Sequence, residues 1–118
     1  MPSFALDNLV LQYFESWRHT RDLDAMQACL SDKLVFETGD LVIRGKEDFI
    51  GFLQNRAPHW EDITLLESII EGHEAALCYE GRAENKGQRF RVAEFIEFSD
   101  GLIDRIRVVI APLGDSLI

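Results

Sequence analysis

The sequence predicts an α+β fold: three helices in the first half, followed by a curved, mostly antiparallel sheet. Two observations carry that prediction. Apolar residues recur at helical spacing in three segments up to Asn55, and beyond Trp60 the period shortens to two through four consecutive runs. Helices are thus segregated from the main strands, which argues for an α+β layer and against the alternating units of a parallel sheet.

The first helix is read from Phe4 to about His19, because Phe4, Leu6, Leu9, Val10, Tyr13, Phe14 and Trp17 recur at spacings of three and four. Ser3 is its expected N-cap. A second helix starts near Asp22 or Asp24, carries Leu23, Met26, Cys29 and Leu30 on one face, and ends around Ser31 and Asp32 after a tight turn from the first. Leu34–Phe36 and Leu41–Ile43 then flank Gly39 and Asp40 as a short hairpin. Gly45 precedes a third helix, Lys46–Asn55, which must stop by Ala57 because Pro58 disfavours helical geometry in the residue before it. The longer strands are Asp62–Glu71, Glu74–Ala83, Gln88–Phe98 and Leu102–Ile110, each separated from the next by a turn containing glycine.

With 118 residues, 47 % of them hydrophobic, the chain is expected to form one domain, residues 1–118, around a core that needs no disulfide. Cys29 and Cys78 lie far apart with no accompanying Cys/His cluster, and both read as buried thiols. The N-terminus has no basic, apolar leader pattern, and no apolar run reaches membrane-spanning length, so a cytoplasmic location and no membrane partner are expected. Twenty-one acidic against twelve basic residues give a formal charge of −9, which repels phosphate backbones, so no nucleic-acid partner is expected. His19, His59 and His73 have no metal-ligand spacing, and glycine-rich nucleotide loops and the nucleophile elbow are missing, so neither metal nor organic cofactor is implied.

The chemistry centres on Gln88–Phe98. One row of its alternation is Phe90, Val92, Glu94, Ile96 and Phe98, and the other is Arg89, Arg91, Ala93, Phe95 and Glu97. If the first row faces the core, Glu94 goes in with it, and a carboxylate there must find a partner or raise its pKa. Such a group suits acid or base catalysis near neutral pH. Its neighbour across the next strand depends on the turn. A three-residue Ser99-Asp100-Gly101 loop sets Glu94 beside Ile106 or Val108, whereas a two-residue Asp100-Gly101 turn sets it opposite Arg107. The first is preferred, since it keeps Ile106, Val108 and Ile110 on the apolar side and Arg105 and Arg107 outside. Tyr79, on the neighbouring strand's inward row with Leu77, is a candidate pocket hydroxyl, with an ordinary core aromatic as the plainer alternative. Trp60, with His59, is a candidate for the pocket rim.

Three segments, YFESWRHTRDLDAMQACLSDKLVFET, the Ile43-Arg44-Gly45 lead into the third helix, and EFIEFSDGLIDRIRV, together resemble the SnoaL-like and ketosteroid-isomerase-like branch of the nuclear-transport-factor-2-like superfamily. The resemblance runs from about Leu9 to Ile110 and implies a conical barrel, a curved sheet wrapped over the three helices, usually dimeric. It also implies a pocket around Glu94, lined from the helices by Tyr13, Phe14, Trp17 and Phe52 and from the strands by Phe36, Thr38, Tyr79, Ile96, Ile106 and Val108, with Trp60 nearby. In the steroid isomerases of this family a helix tyrosine and a strand carboxylic acid hold the developing oxyanion while an aspartate shuttles the proton. Those positions fall on Phe14, Glu94 and Thr38, so only Glu94 keeps its chemistry.

Two functions follow. One is a cofactor-free isomerase, cyclase or hydrolase acting on an apolar, polycyclic or enolisable small molecule, with Glu94 as the acid or base. The other is a non-catalytic ligand-binding or dimerisation module that has lost the isomerase apparatus. Phe95 and Val109, on the outer row, are the expected patch of a homodimer through the outer sheet face.

Overall fold

The computed structural model describes residues 2–18, 22–55, 60–84 and 87–114. It has three helices, α1 (Pro2–Arg18), α2 (Leu23–Gln27) and α3 (Lys46–Asn55). Its strands are β1 (Leu30–Thr38), β2 (Leu41–Arg44), β3 (Trp60–Glu71), β4 (Glu74–Ala83), β5 (Arg89–Ser99) and β6 (Leu102–Pro112). They form one six-stranded sheet in the order β2-β1-β6-β5-β4-β3, antiparallel throughout except for the parallel pair β1 and β6. Strands β2 and β3 end the sheet on opposite sides, so the cone is open and not a closed barrel.

The pleat decides what faces inward. Along β5, Val92, Glu94, Ile96 and Phe98 are buried, while Arg91, Phe95, Glu97 and Ser99 are exposed. Strand β4 alternates in the same way, burying Ala75, Leu77 and Tyr79. Against this face pack Val10, Tyr13 and Phe14 from α1, Met26 from α2, and Phe49 and Ile50 from α3, so the core lies between the helices and one side of the sheet. Burying a side chain of this size stabilises the fold by about 1.5–3 kcal/mol.

Several elements differ from their sequence reading. Helix α1 starts at Pro2, which leaves Ser3 inside its first turn instead of capping it. Asp22 caps α2 by accepting from the Ala25 N–H, but that helix is over at Gln27 and the chain is already in β1 at Leu30. The apolar row that suggested a longer helix is shared with the strand, because β1 pairs in parallel with distant β6 and its Leu30, Leu34 and Phe36 are all buried. The tight turn between the first helices, the expected stop at Ala57 and Pro58, and His19 and His59 lie outside the described residues. Cys29 is buried, and that burial pushes its thiol up to about 11, whereas Cys78, on the outer row of β4, is only half-buried.

The turn between β5 and β6 combines features of both sequence alternatives. Asp100 and Gly101 both have positive φ, 53° and 78°, and form a two-residue turn that pairs Ser99 with Leu102. Left alone, that turn would bring Arg107 opposite Glu94. A bulge intervenes: Phe98 pairs with Ile103 but Glu97 pairs with Arg105, so Asp104 is skipped and the register moves by one residue. The Ser99 hydroxyl donates to the Asp104 carboxylate at this bulge. Glu94 consequently faces Val108, and Arg107 pairs with Phe95 on the outer row.

Candidate functional site

Glu94 is 3 % exposed and is held from two directions. On β4, Leu77 is its direct neighbour, and Tyr79 lies two residues along on the same face, within diagonal reach. The Tyr79 hydroxyl donates to Glu94 Oε2. From above, α1 turns Tyr13 toward the sheet, and its hydroxyl donates to Glu94 Oε1 at 2.7 Å. One helix residue and two strand residues thus form a cluster of two phenols around one carboxyl group.

The electrostatics follow from burial. Removal from water pushes the Glu94 carboxyl above its ordinary 4.5, and the hydrogen bonds from Tyr79 and Tyr13 oppose that rise without cancelling it. The Tyr79 hydroxyl is held far above its ordinary 10.0, first by burial and then by the Glu94 charge, so it stays a donor. Each carboxylate oxygen that accepts one phenol retains a second lone pair, which leaves Glu94 able to take a proton from a bound molecule.

A cavity of about 160 Å³ lies beside this cluster. Tyr13, Phe36, Thr38, Phe52, Trp60, Tyr79, Glu94 and Val108 line it, as do Met26, Phe49, Leu53, Val92 and Ile110. Phe36 stacks against both Phe49 and Phe52, with ring centroids 4.8 Å and 5.8 Å apart, and Trp60 meets Phe90 edge-on at 5.1 Å. Among the described residues of the lining, Glu94 is the one carboxyl and no lysine or arginine is present.

Other sequence candidates sit elsewhere. Phe14 is buried, with its ring 5.5 Å from that of Tyr79, but does not line the cavity. A one-residue step turns a helix by about 100°, and it is Tyr13 that points at Glu94. Ile96 and Ile106 face each other across β5 and β6, fully buried in the core beyond the cavity. Trp17 belongs to α1, and its side chain lies outside the described residues. Sequence reasoning missed Met26, Phe49, Leu53, Val92 and Ile110. Val92 and Ile110 carried a usable signal, since both belong to inward rows already recognised around Glu94 and Val108.

The profile of the SnoaL-like domain matches residues 10–106, most of the chain. The chain belongs to the SnoaL-like family. No curated protein matches this SnoaL-like sequence. Among solved structures, it resembles an NTF-2 like protein of unknown function from Burkholderia xenovorans, at 11% identity over 98% of this chain and 89% of that one, with a TM-score of 0.84. A candidate ketosteroid isomerase from Kribbella flavida aligns at 21% identity over 94% of this chain and 81% of that one, TM-score 0.80. An LEH-like epoxide hydrolase from M. tuberculosis aligns at 22% identity over 88% of this chain and 80% of that one, TM-score 0.75. At these identities the likeness establishes the NTF2-like fold alone. No helix among the described residues is long and apolar enough to cross a membrane, and no group of three or more His, Cys, Asp or Glu residues among them is placed to hold a metal.

Proposed function

We propose that this SnoaL-like protein is a cofactor-free acid–base catalyst of the isomerase or cyclase kind, binding a small apolar carbonyl compound in the cavity and moving a proton with Glu94. The observation that supports this most is a carboxyl group buried beside an apolar cavity, held by Tyr13 and Tyr79 and shifted toward neutral pH. Ionised Glu94 takes a proton from the carbon next to the carbonyl, the C–H electron pair becomes a double bond to the carbonyl carbon, and the carbonyl π pair moves onto oxygen, which becomes negative. Protonated Glu94 then returns the proton to a different carbon. The same group serves as base and acid, so the aspartate position occupied by Thr38 is not required.

Size favours one ring over several. The cavity is close to the engineered cavities of about 150 Å³ that accept benzene. A hydrolase with an arginine–carboxylate cluster is the weaker form of the proposal, because Arg107 lies on the outer face, 3.9 Å from Glu97. The test is wash-in of solvent deuterium at the acidic carbons of monocyclic ketones and enones, followed by proton NMR. Wild type should accelerate exchange, and Glu94→Gln should lose about 10²–10⁴-fold of that acceleration. Equal rates in the two proteins would remove Glu94 from the chemistry.

Thr38 and Phe14 also motivate a second reading, a non-catalytic module that binds its ligand without turnover. In either case a homodimer through the outer sheet face is part of the proposal, supported by Phe95 at 49 % and Val109 at 60 % exposure on adjacent strands. Phe95→Glu should give monomers in sedimentation analysis, and an unchanged assembly would place the contact elsewhere.

A further inference from the structure

We propose that Thr38 is the anchoring and specificity-determining residue of the cavity, donating its hydroxyl to the carbonyl oxygen of a one-ring ligand whose neighbouring C–H meets Glu94. The inference rests on the reading of the cavity as a ligand site.

Three observations lead to it. Thr38 pairs with Val108, and Val108 pairs with Glu94, so the three residues form one row across β1, β6 and β5. Two strand spacings separate the α-carbons of Thr38 and Glu94 by about 10 Å. Val108, apolar and itself part of the lining, is the floor between them.

The hydroxyls divide unevenly. Those of Tyr13 and Tyr79 are directed at Glu94, one to each carboxyl oxygen. Of the described hydroxyls that line the cavity, only that of Thr38 stands outside the Glu94 cluster. The cavity is therefore polar at two ends and apolar between them. A donor placed away from the base is what proton abstraction next to a carbonyl needs, because the negative charge appears on oxygen while the proton leaves from carbon. In that step the C–H bond breaks, an O–H bond forms on Glu94, and the carbonyl becomes an enolate whose oxygen accepts from Thr38. Reprotonation at carbon restores the carbonyl and the Glu94 carboxylate.

A ring fits the separation. A hydrogen bond of about 2.8 Å at Thr38 and a reactive contact of about 3–3.5 Å at Glu94 leave room between them for one six-membered ring and little more. The ligand class is thus a monocyclic ketone or enone, oriented with oxygen toward β1.

Cyclohexanone and methylenecyclohexane test this, being close in shape with and without the acceptor oxygen. Their Kd values are measured by NMR titration on wild type, Thr38→Val and Thr38→Ser, with amide spectra confirming the fold. Thr38→Val should lower the affinity ratio of cyclohexanone to methylenecyclohexane about fivefold, the usual worth of one net hydrogen bond, and leave methylenecyclohexane binding unchanged. Thr38→Ser should keep the wild-type ratio. Should Thr38→Val fail to fold, Thr38→Ala removes the same hydroxyl and is read in the same way. An unchanged ratio in the folded hydroxyl-free variant overturns the role of Thr38 and leaves the cavity reading standing. Failure of wild type to bind either compound overturns both.

Discussion

Glu94 and Glu80 sit on neighbouring strands, one on the inner face of the sheet and the other on the outer, and their surroundings push them in opposite directions. Glu80 accepts from Arg91 at 2.9 Å and from Arg89 at 3.3 Å, and Arg91 chiefly holds its carboxyl below the ordinary range. Among the described residues Glu94 meets two phenols and no cation, and burial holds it above that range. The same residue type is a solvated ion-pair member on one side and a candidate acid–base group on the other. The pleat makes the difference, since a one-residue slip of β5 would carry Glu94 to the outer face and a one-residue slip of β4 would carry Glu80 to the inner one.

The largest way to sharpen this comparison is to truncate one phenylalanine from each face of β5. Phe98→Ala, on the inner row, should cost about 3–5 kcal/mol in denaturant unfolding, whereas Phe95→Ala, on the outer row, should stay within about 0.5 kcal/mol in the monomer. Equal losses would show that the faces are not distinguished as described.

Next comes the cluster itself. Tyr79→Phe removes a donor to the ionised carboxyl, so the Glu94 pKa should rise further and the acidic limb of any pH–rate profile should move to higher pH. Tyr13→Phe should shift it in the same direction by less, since its hydrogen bond opposes the effect of burial less strongly than that of Tyr79. A limb that stays in place in both variants would break the link between the phenols and the carboxyl group.

The smallest effects are in the pH dependence of stability, and they differ in sign. Glu94, raised in the folded state, contributes stability that is present below about pH 4.5 and is lost as pH rises through its folded value. Glu94→Gln should flatten that fall. Glu80, lowered in the folded state, contributes stability that is present above about pH 4.5 and is lost as pH falls through its folded value. Glu80→Gln should flatten the loss on acidification, by a small amount because the group is solvated. Thermal unfolding from about pH 2 to about pH 9 covers both windows and reads both slopes.

Much of the fold and part of the site were legible in the sequence. The inner row of β5 could be read because four large apolar residues surround Glu94 at period two, and α3 because its apolar spacing, leading glycine and following proline agree. The register of Glu94 against Val108 was reached through the wrong turn. A bulge at Asp104 has no local composition that separates it from a longer loop, and only pairing across the two strands reveals it. The length of β1 was hidden because its partner β6 is distant in sequence, so no local period marks the parallel pairing. Tyr13 and Phe14 both belong to the apolar face of α1, and the sequence pattern does not say which of two adjacent residues meets the sheet.

The most direct test is the titration of Glu94 itself, by carbon-detected NMR of the side-chain carboxyl group in protein labelled at glutamate, with Glu94→Gln for assignment. The account predicts a Glu94 midpoint above 4.5 and a Glu80 midpoint below it in the same sample. A Glu94 midpoint at or below 4.5 would contradict the claim that this fold holds a carboxyl group tuned for acid–base work.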